Sequence, residues 1–300
     1  MDTHEHPLAT SLQWQNGQWS EPRSSIGRLE EGPADGWTTA GALAAADSAL
    51  LEELLVYQTR FQRGVDRRTQ ASYLIASLAH ILSLAVASPF LRSDIAADFG
   101  PSALAYRFED YATDHDGRTV VMKHAELRFP GDRFWTTDAA AASWPGAVLL
   151  ADRAALRERF RLTLESHFRA LIATIEQATR LSRAAQWRLV GDALSATFLD
   201  AGRRLGIEAA AKADAMAILK VPGSPLDNAQ LHYFDLAIPM GEGPDASVVT
   251  RSFRSRGGCC RYYLTEGGHL CTTCVLEKPA ERDRRLREAM QRRLARPVVA

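Results

Sequence analysis

The sequence contains few lysines and few cysteines and carries no net charge. These features exclude some classes of protein. Arginine carries nearly all the positive charge, because the 36 basic residues include only four lysines, Lys123, Lys212, Lys220 and Lys278. These are balanced by 36 acidic residues, and the formal net charge is zero. The excess of positive charge typical of proteins that bind nucleic acid is missing, so no nucleic-acid partner is expected.

Long hydrophobic runs are also missing. The first ten residues, MDTHEHPLAT, contain neither the basic nor the apolar stretch that begins a secretory signal. The most apolar run, from Tyr73 to Ala87, is short for a membrane span and contains His80, so it predicts a buried core helix. We expect a cytoplasmic protein without a membrane span, and peripheral association with a membrane stays open.

Cysteine is scarce but clustered. The four cysteines stand within sixteen positions of the segment GGCCRYYLTEGGHLCTTCVL, residues 257–276. In a cytoplasmic protein such a cluster favours a metal site over disulfide bonds. Thiolates are soft ligands, and four of them suit either zinc or an iron–sulfur cluster.

The spacing of the cysteines favours an iron–sulfur cluster. Cys259 and Cys260 are adjacent, with Cα atoms about 3.8 Å apart, and neighbouring side chains in an extended segment diverge. A pair that points apart fits a two-iron cluster, which distributes four thiolates over two irons, better than one zinc ion. The predicted ligands are Cys259, Cys260, Cys271 and Cys274. His269 is expected to be a loop residue, and Gly257-Gly258 and Gly267-Gly268 are expected to supply backbone freedom.

Patterning in the rest of the chain predicts a mostly helical α+β protein. Apolar residues recur at helical spacing in several segments, and β-prone stretches around an Asp-His-Asp-Gly turn predict a central hairpin. We expect a loosely structured segment over residues 1–36, with a small hairpin turning at Asn16-Gly17. A helical α+β domain should span residues 37–250, and a cluster-binding module ending in a helix should span residues 251–300.

The sequence around the cysteines resembles a known family. RSFRSRGGCCRYYLTEGGHLCTTCVL, residues 251–276, looks like the C-terminal signature of the FhuF-like ferric siderophore reductases. That signature is Cys-Cys, ten residues and Cys-x-x-Cys, often with an early Tyr; the matching positions are Cys259, Cys260, Tyr263, Cys271 and Cys274. Thr272-Thr273 stand where some members have a glycine. Residues 67–91 and 187–204 resemble the family's helical segments in order and character.

The resemblance implies a 2Fe-2S cluster that passes one electron to the ferric ion of a siderophore, so that the protein acts as a ferric-siderophore reductase. It also implies an electron donor, for which a ferredoxin- or flavin-type protein is a candidate. Tyr262 and Tyr263 could contact the chelate or only pack. Arg254 and Arg256 could attract an anionic chelate or the electron donor, or could balance the cluster's negative charge. The alternatives are an iron–sulfur redox sensor and a zinc-stabilised interaction protein.

Overall fold

The computed structural model describes residues 6–29, 36–115, 118–240 and 247–294, which form a mostly helical α+β fold. The fold class predicted from the sequence is therefore confirmed. The described residues contain eight α-helices: α1 (Pro7–Gln18), α2 (Ala40–Leu43), α3 (Ala49–Tyr57), α4 (Arg67–Ser93), α5 (Arg153–Thr179), α6 (Arg183–Arg204), α7 (Glu208–Leu219) and α8 (Pro279–Leu294).

Strands within the same ranges form three small sheets. They are β1 (Arg23–Ile26), β2 (Thr38–Thr39), β3 (Ile95–Ala97), β4 (Ala105–His115), β5 (Arg118–Phe129), β6 (Phe134–Thr136), β7 (Ala147–Leu149), β8 (His232–Met240) and β9 (Ser247–Ser255). The largest sheet has the order β1-β5-β4-β2 and the second has the order β3-β6-β7. The antiparallel β4–β5 pair is the predicted central hairpin; residues 116 and 117 of its turn lie outside the described ranges.

Helix α4 is the centre of the core. It begins after Asp66, whose side chain accepts a hydrogen bond from the Thr69 N–H at 2.7 Å, and it ends at Asp94 in a left-handed conformation with φ of 52°. By length and composition it is the one described helix that could cross a membrane, yet 78% of its most apolar stretch is buried inside the protein. The predicted buried core helix is confirmed.

Helix α6 packs against α4 on one side and α7 on the other. Small residues allow this close approach: Gly202 lies against Ala211 with no room for a side chain, and Gly191 faces Leu219 and Leu231. The buried side chain of Asp192 is an exception on this otherwise small and apolar surface. Helix α6 thereby packs closely in the core and carries one buried acidic group.

The N-terminal prediction is wrong for residues 7–18. No hairpin turns at Asn16-Gly17, because α1 runs through both residues. Pro7 stands at the first position of the helix, where its fixed φ is favourable, and Leu8 and Leu12 are fully buried on one face. Tertiary burial of this face outweighs the turn preference of Asn-Gly. Residues 1–5 and 30–35 of the segment lie outside the described ranges.

The C-terminal region begins inside a hairpin. Strand β9 pairs with β8 along its whole length, from Ser247 opposite Met240 to Ser255 opposite His232. The expected domain boundary at residue 250 falls within this hairpin, and the division of the chain into domains stays a prediction. Helix α8 packs on β8, where the Arg282 guanidinium lies 3.9 Å from the centre of the Phe234 ring. β9 leads directly into the cysteines.

Candidate metal centre

The cysteine segment, residues 256–276, lies across the beginning of α4. It contains little regular structure beyond a 3-10 turn at Tyr262–Leu264. The Ser72 hydroxyl donates to the Cys260 carbonyl at 2.9 Å, and the Arg261 guanidinium donates to the Asp66 carboxylate at 3.0 Å. These two contacts join residues that are 188 and 195 positions apart in the chain. The segment is therefore held by the helical core as well as by its own turns.

Asp192 on α6 fixes the backbone just before the first cysteine. Its carboxylate accepts hydrogen bonds from the N–H groups of Gly257 at 2.8 Å and Gly258 at 3.1 Å, and from Arg256 Nε at 3.2 Å. Its own backbone carbonyl accepts from Arg254. The carboxylate is only 3% exposed, so these donors replace the water that its charge would otherwise require.

Three glycines are required here by close contact and not by backbone freedom. Gly257 lies against the Asn228 amide, and Gly268 lies against the Tyr262 carbonyl, with no room for a side chain at either position. At Gly258 a Cβ atom would lie 3.1 Å from the backbone nitrogen of Leu189. Only Gly267 in this segment has a positive φ, at 71°. The expected backbone freedom thus applies to one of the four glycines.

Each of the four cysteines has at least one of the others as a neighbour, and none forms a disulfide. Cys260 and Cys271 share a hydrogen bond between their thiol groups, and Cys259 is close enough to Cys274 for their charges to interact. Three of the side chains are half-buried and Cys274 is buried. Within the described ranges no three His, Cys, Asp or Glu side chains converge as they would around a single metal ion.

The surroundings favour thiolate, the form that binds metal, at Cys260, whereas burial raises the pKa of Cys259. The hydrogen bond from Cys271 lowers the pKa of Cys260 to about 5, helped by the Tyr262 N–H and the charge of Arg256. The same hydrogen bond raises the pKa of Cys271, which holds the shared proton. Burial alone would lower the pKa of Arg256, but its neighbours Asp192, Cys260 and Cys271 raise it. The guanidinium therefore stays cationic.

Hydrogen-bond donors point toward the sulfur atoms. Arg256 Nη1 lies 3.4 Å from Cys271 Sγ, and the Arg261 N–H lies 3.4 Å from Cys259 Sγ. The Tyr73 hydroxyl is buried without a well-formed hydrogen bond and has Cys260 as a neighbour. Donors of this kind suit a cluster whose sulfur atoms accept hydrogen bonds. The residues present therefore fit an iron–sulfur group.

A cleft of about 530 Å³ opens beside Cys259, and we call it the cysteine cleft. Its wall combines the beginning of α6, the two glycines before Cys259 and the end of the cysteine segment. A second cleft of about 560 Å³ lies between Phe61 and the β4–β5 hairpin, and no residue of the cysteine segment lines it. Of these two clefts, only the cysteine cleft would bring a bound molecule next to a cysteine.

Two matches to protein-family models decide the family. Residues 101–231 match the ferric iron reductase FhuF-like transporter family, and residues 256–276 match the FhuF 2Fe-2S C-terminal domain. The chain belongs to the FhuF-like ferric iron reductase family. Together the matches cover just over half of the sequence, and the second includes all four cysteines. No curated protein and no solved structure matches the chain.

The FhuF 2Fe-2S match shows that the cofactor is a 2Fe-2S cluster, as the sequence predicts. That the four cysteines are its ligands stays a prediction, which their gathering supports. His269 is exposed and packs edge-on against Tyr262, with ring centres 5.1 Å apart. Tyr263 is 40% exposed and lines the cysteine cleft. Of the two tyrosines, one therefore packs within the segment and the other faces open space.

Sequence reasoning missed the residues that hold and surround the cysteines. Asp66, Ser72, Tyr73 and Asp192 all stand far from the segment in the chain, so no local motif includes them. Asp192 offered one signal, since it is an acidic residue within a run of small and apolar residues on one helix. A buried charge in such a place needs partners, and here the partners lie beside Cys259.

Proposed function

We propose that this protein reduces the ferric iron of a siderophore by one-electron transfer from a 2Fe-2S cluster held by Cys259, Cys260, Cys271 and Cys274, and so releases ferrous iron in the cytoplasm. The observation that carries the proposal is the gathering of these four thiols in the segment that matches the FhuF 2Fe-2S domain. Membership of the ferric iron reductase family supports the same chemistry.

In this reaction the residues of the chain bind the cluster, orient it and adjust its reduction potential. When bound, the cluster supplies single electrons, and the electron chemistry belongs to it. Asp192 holds the backbone before Cys259. The positively charged Arg256 lies next to the Cys271 sulfur. A positive charge and N–H donors stabilise the more negative reduced state. No side chain has to transfer a proton or attack the substrate.

Reduction releases iron because ferrous iron binds hard oxygen donors less strongly than ferric iron does. One electron enters from a donor, and one electron leaves to the ferric ion. We propose a ferredoxin- or flavin-type protein as the donor. Nucleic acid is not part of the proposal: in the described part of α8, Arg284 pairs with Glu281 and Glu288, and Arg285 pairs with Glu277.

The function is tested by reoxidation of the reduced protein. Anaerobically purified protein should be red-brown and should contain about two iron atoms and two sulfide ions per chain. After chemical reduction it should be reoxidised by ferric hydroxamate, catecholate or carboxylate chelates, while a ferrous trap collects the released iron. The measurements are the visible spectrum and the trapped iron.

Cys274→Ser is the control, because it removes one thiolate while most of the helical core lies elsewhere. It should lose or destabilise the cluster, keep most of its helicity by circular dichroism and release no iron. Colourless active protein with stoichiometric zinc would contradict the proposal in favour of a structural zinc site. Reduced protein that no chelate reoxidises would favour the redox-sensor alternative.

A further inference from the structure

The cysteine cleft brings open space to the edge of the metal centre. Cys259 itself contributes to its wall, together with the two glycines that precede it. The other lining residues come from the beginning of α6, from Gln230 and from the far end of the cysteine segment: Leu181, Ser182, Ala184, Ala185, Arg188, Gln230, Arg261, Tyr263, Val275 and Leu276. A molecule in this cleft would lie against a predicted cluster ligand, without protein between them.

The size of the cleft fits a small molecule. Its volume of about 530 Å³ lies within the range of about 300–1,000 Å³ that is usual for small-molecule sites. Tyr263 and Leu276 present exposed apolar surface at its edge, with 40% and 54% of each residue accessible. The cleft is concave and partly apolar, as expected for a chelate with an organic shell, whereas protein–protein docking usually uses a broader and flatter surface.

The charged side chains that line the cleft are all positive. Its charged lining residues are two arginines, and neither Asp nor Glu lines it. Arg261 is tied to Asp66 and to the Thr69 hydroxyl, which is 3.1 Å from its Nε. Arg188 is exposed and has no ion pair within the described part of the chain. Arg188 is therefore available to an anion that enters the cleft.

We propose that the cysteine cleft is the substrate site and that it selects ferric chelates of net negative charge, with Arg188 as the recognising cation. This inference rests on the proposed function and adds the place and charge class of the substrate. Arg188 would meet the anionic oxygen donors, and Tyr263 and Leu276 would contact the organic shell. One electron would pass at the Cys259 edge, oxidising the cluster and reducing the ferric ion, and no proton would move.

Binding can be separated from electron transfer with gallium(III) chelates. Gallium(III) has the charge and nearly the size of ferric iron but is not reduced under these conditions. Calorimetric titration of the oxidised holoprotein should show the tightest binding for an anionic catecholate chelate. A neutral hydroxamate chelate should bind less tightly, and a hydroxamate chelate with an ammonium arm should bind least. Binding of the anionic chelate should weaken with salt, because exposed charges are screened.

Arg188→Glu should weaken binding of the anionic gallium chelate about tenfold, since it replaces an exposed favourable charge by a repulsive one. Arg188→Lys should retain most of the affinity. Arg169→Glu is the matched control, because Arg169 is exposed on α5, has only a 3.6 Å contact with Glu165 and does not line the cleft. The control makes the same change in net charge and should bind like the natural protein.

Filling the cleft gives a second test that does not depend on charge. Ala184 is an exposed wall residue, so Ala184→Trp should reduce cleft space without disturbing the core. All three gallium chelates should bind less tightly, while the visible spectrum of the cluster stays unchanged.

Unchanged anionic binding in both Arg188→Glu and Ala184→Trp would overturn the cleft assignment, and tightest binding of the cationic chelate would overturn the charge class. If Arg188→Glu slows reduction by a donor protein but leaves gallium binding unchanged, the cleft is a donor-docking site and the inference fails. In each of these cases ferric chelates would still reoxidise the reduced protein. Failure of the reductase function itself would appear as the absence of that reoxidation.

Discussion

Arg256 connects the helical core to the cysteines. Its Nε lies 3.2 Å from the Asp192 carboxylate and its Nη1 lies 3.4 Å from Cys271 Sγ. The side chain is largely buried, so its charge is weakly screened by water. Of the two alternatives that the sequence left open for this residue, these contacts favour charge balance at the metal centre over capture of a substrate in solution.

Arg256→Gln should therefore lower the reduction potential of the cluster. The change removes a positive charge that stabilises the reduced state, and a loss of about 1.4 kcal/mol in the reduced state relative to the oxidised state corresponds to about 60 mV for one electron. Redox titration followed by electron paramagnetic resonance would measure the shift. Arg256→Lys, which keeps the charge, should shift the potential less. A potential that stays the same or rises in Arg256→Gln would contradict this role.

At the scale of elements, the contact between α6 and the cysteine segment positions the metal centre. The backbone of Gly258 packs directly on the first turns of α6, beside Leu189. The neighbouring Asp192 side chain adds two hydrogen bonds to the same stretch of backbone. Helix α6 also contributes the wall of the cysteine cleft through Ala184, Ala185 and Arg188. One helix thus supports the metal centre and forms the side of its open cleft.

Gly258→Ala should loosen this contact. Its Cβ would lie 3.1 Å from the Leu189 backbone nitrogen, and such overpacking costs on the order of 1 kcal/mol or more. We expect faster loss of the cluster to an iron chelator, measured by visible absorption, with most helicity retained. The matched control is Gly17→Ala in α1, where nothing lies within 4 Å and alanine favours the helix. Equal rates of cluster loss in the two variants would show that the contact does not position the metal centre.

For the molecule as a whole, one buried histidine ties α5 to the region around β4. His167 Nδ1 donates to the Phe99 carbonyl at 2.7 Å, so Nε2 accepts from the Tyr106 hydroxyl at 2.8 Å. Burial lowers the pKa of His167 to about 4. The neutral ring is the form that the folded protein requires, because a charged ring could not accept the Tyr106 hydrogen bond.

The folded protein should consequently lose stability as the pH falls from about 6.5 towards 4. The pKa of His167 is lower in the folded state than its ordinary value of 6.5, so the unfolded state takes up the proton first. The contribution is fully present above pH 6.5 and decreases by about 1.4 kcal/mol per pH unit below it. Denaturant unfolding at pH 7, 6 and 5 would measure this for the natural protein and for His167→Gln.

The variant serves as the control, because Gln can replace both hydrogen bonds but does not titrate. The difference between the two proteins cancels the response of the cysteines and carboxylates to acid. Parallel stability curves would show that His167 is not the titrating group. A difference that grows as the pH falls would confirm it.

The sequence by itself determined the chemistry of the metal centre and the class of the fold. The four cysteines stand within sixteen positions, so their gathering needs only a short segment to turn back on itself. The helical spacing of apolar residues predicted α4, and the turn between β-prone stretches predicted the β4–β5 hairpin, since both patterns repeat over short distances. The turn preference of Asn16-Gly17 gave a wrong prediction, because burial of Leu8 and Leu12 stabilises a helix through these residues.

Only the tertiary structure decided what surrounds the cysteines. Asp192 meets Gly257 across 65 positions, and Ser72 meets Cys260 across 188. Arg188 lines the same cleft as Tyr263, which stands about 75 positions later. Such contacts leave no periodic pattern in the chain, because each depends on how whole helices pack and not on the spacing of neighbouring residues. Ligand chemistry is local and can be predicted from spacing, whereas the charge, support and access of the centre arise from distant elements that packing brings together.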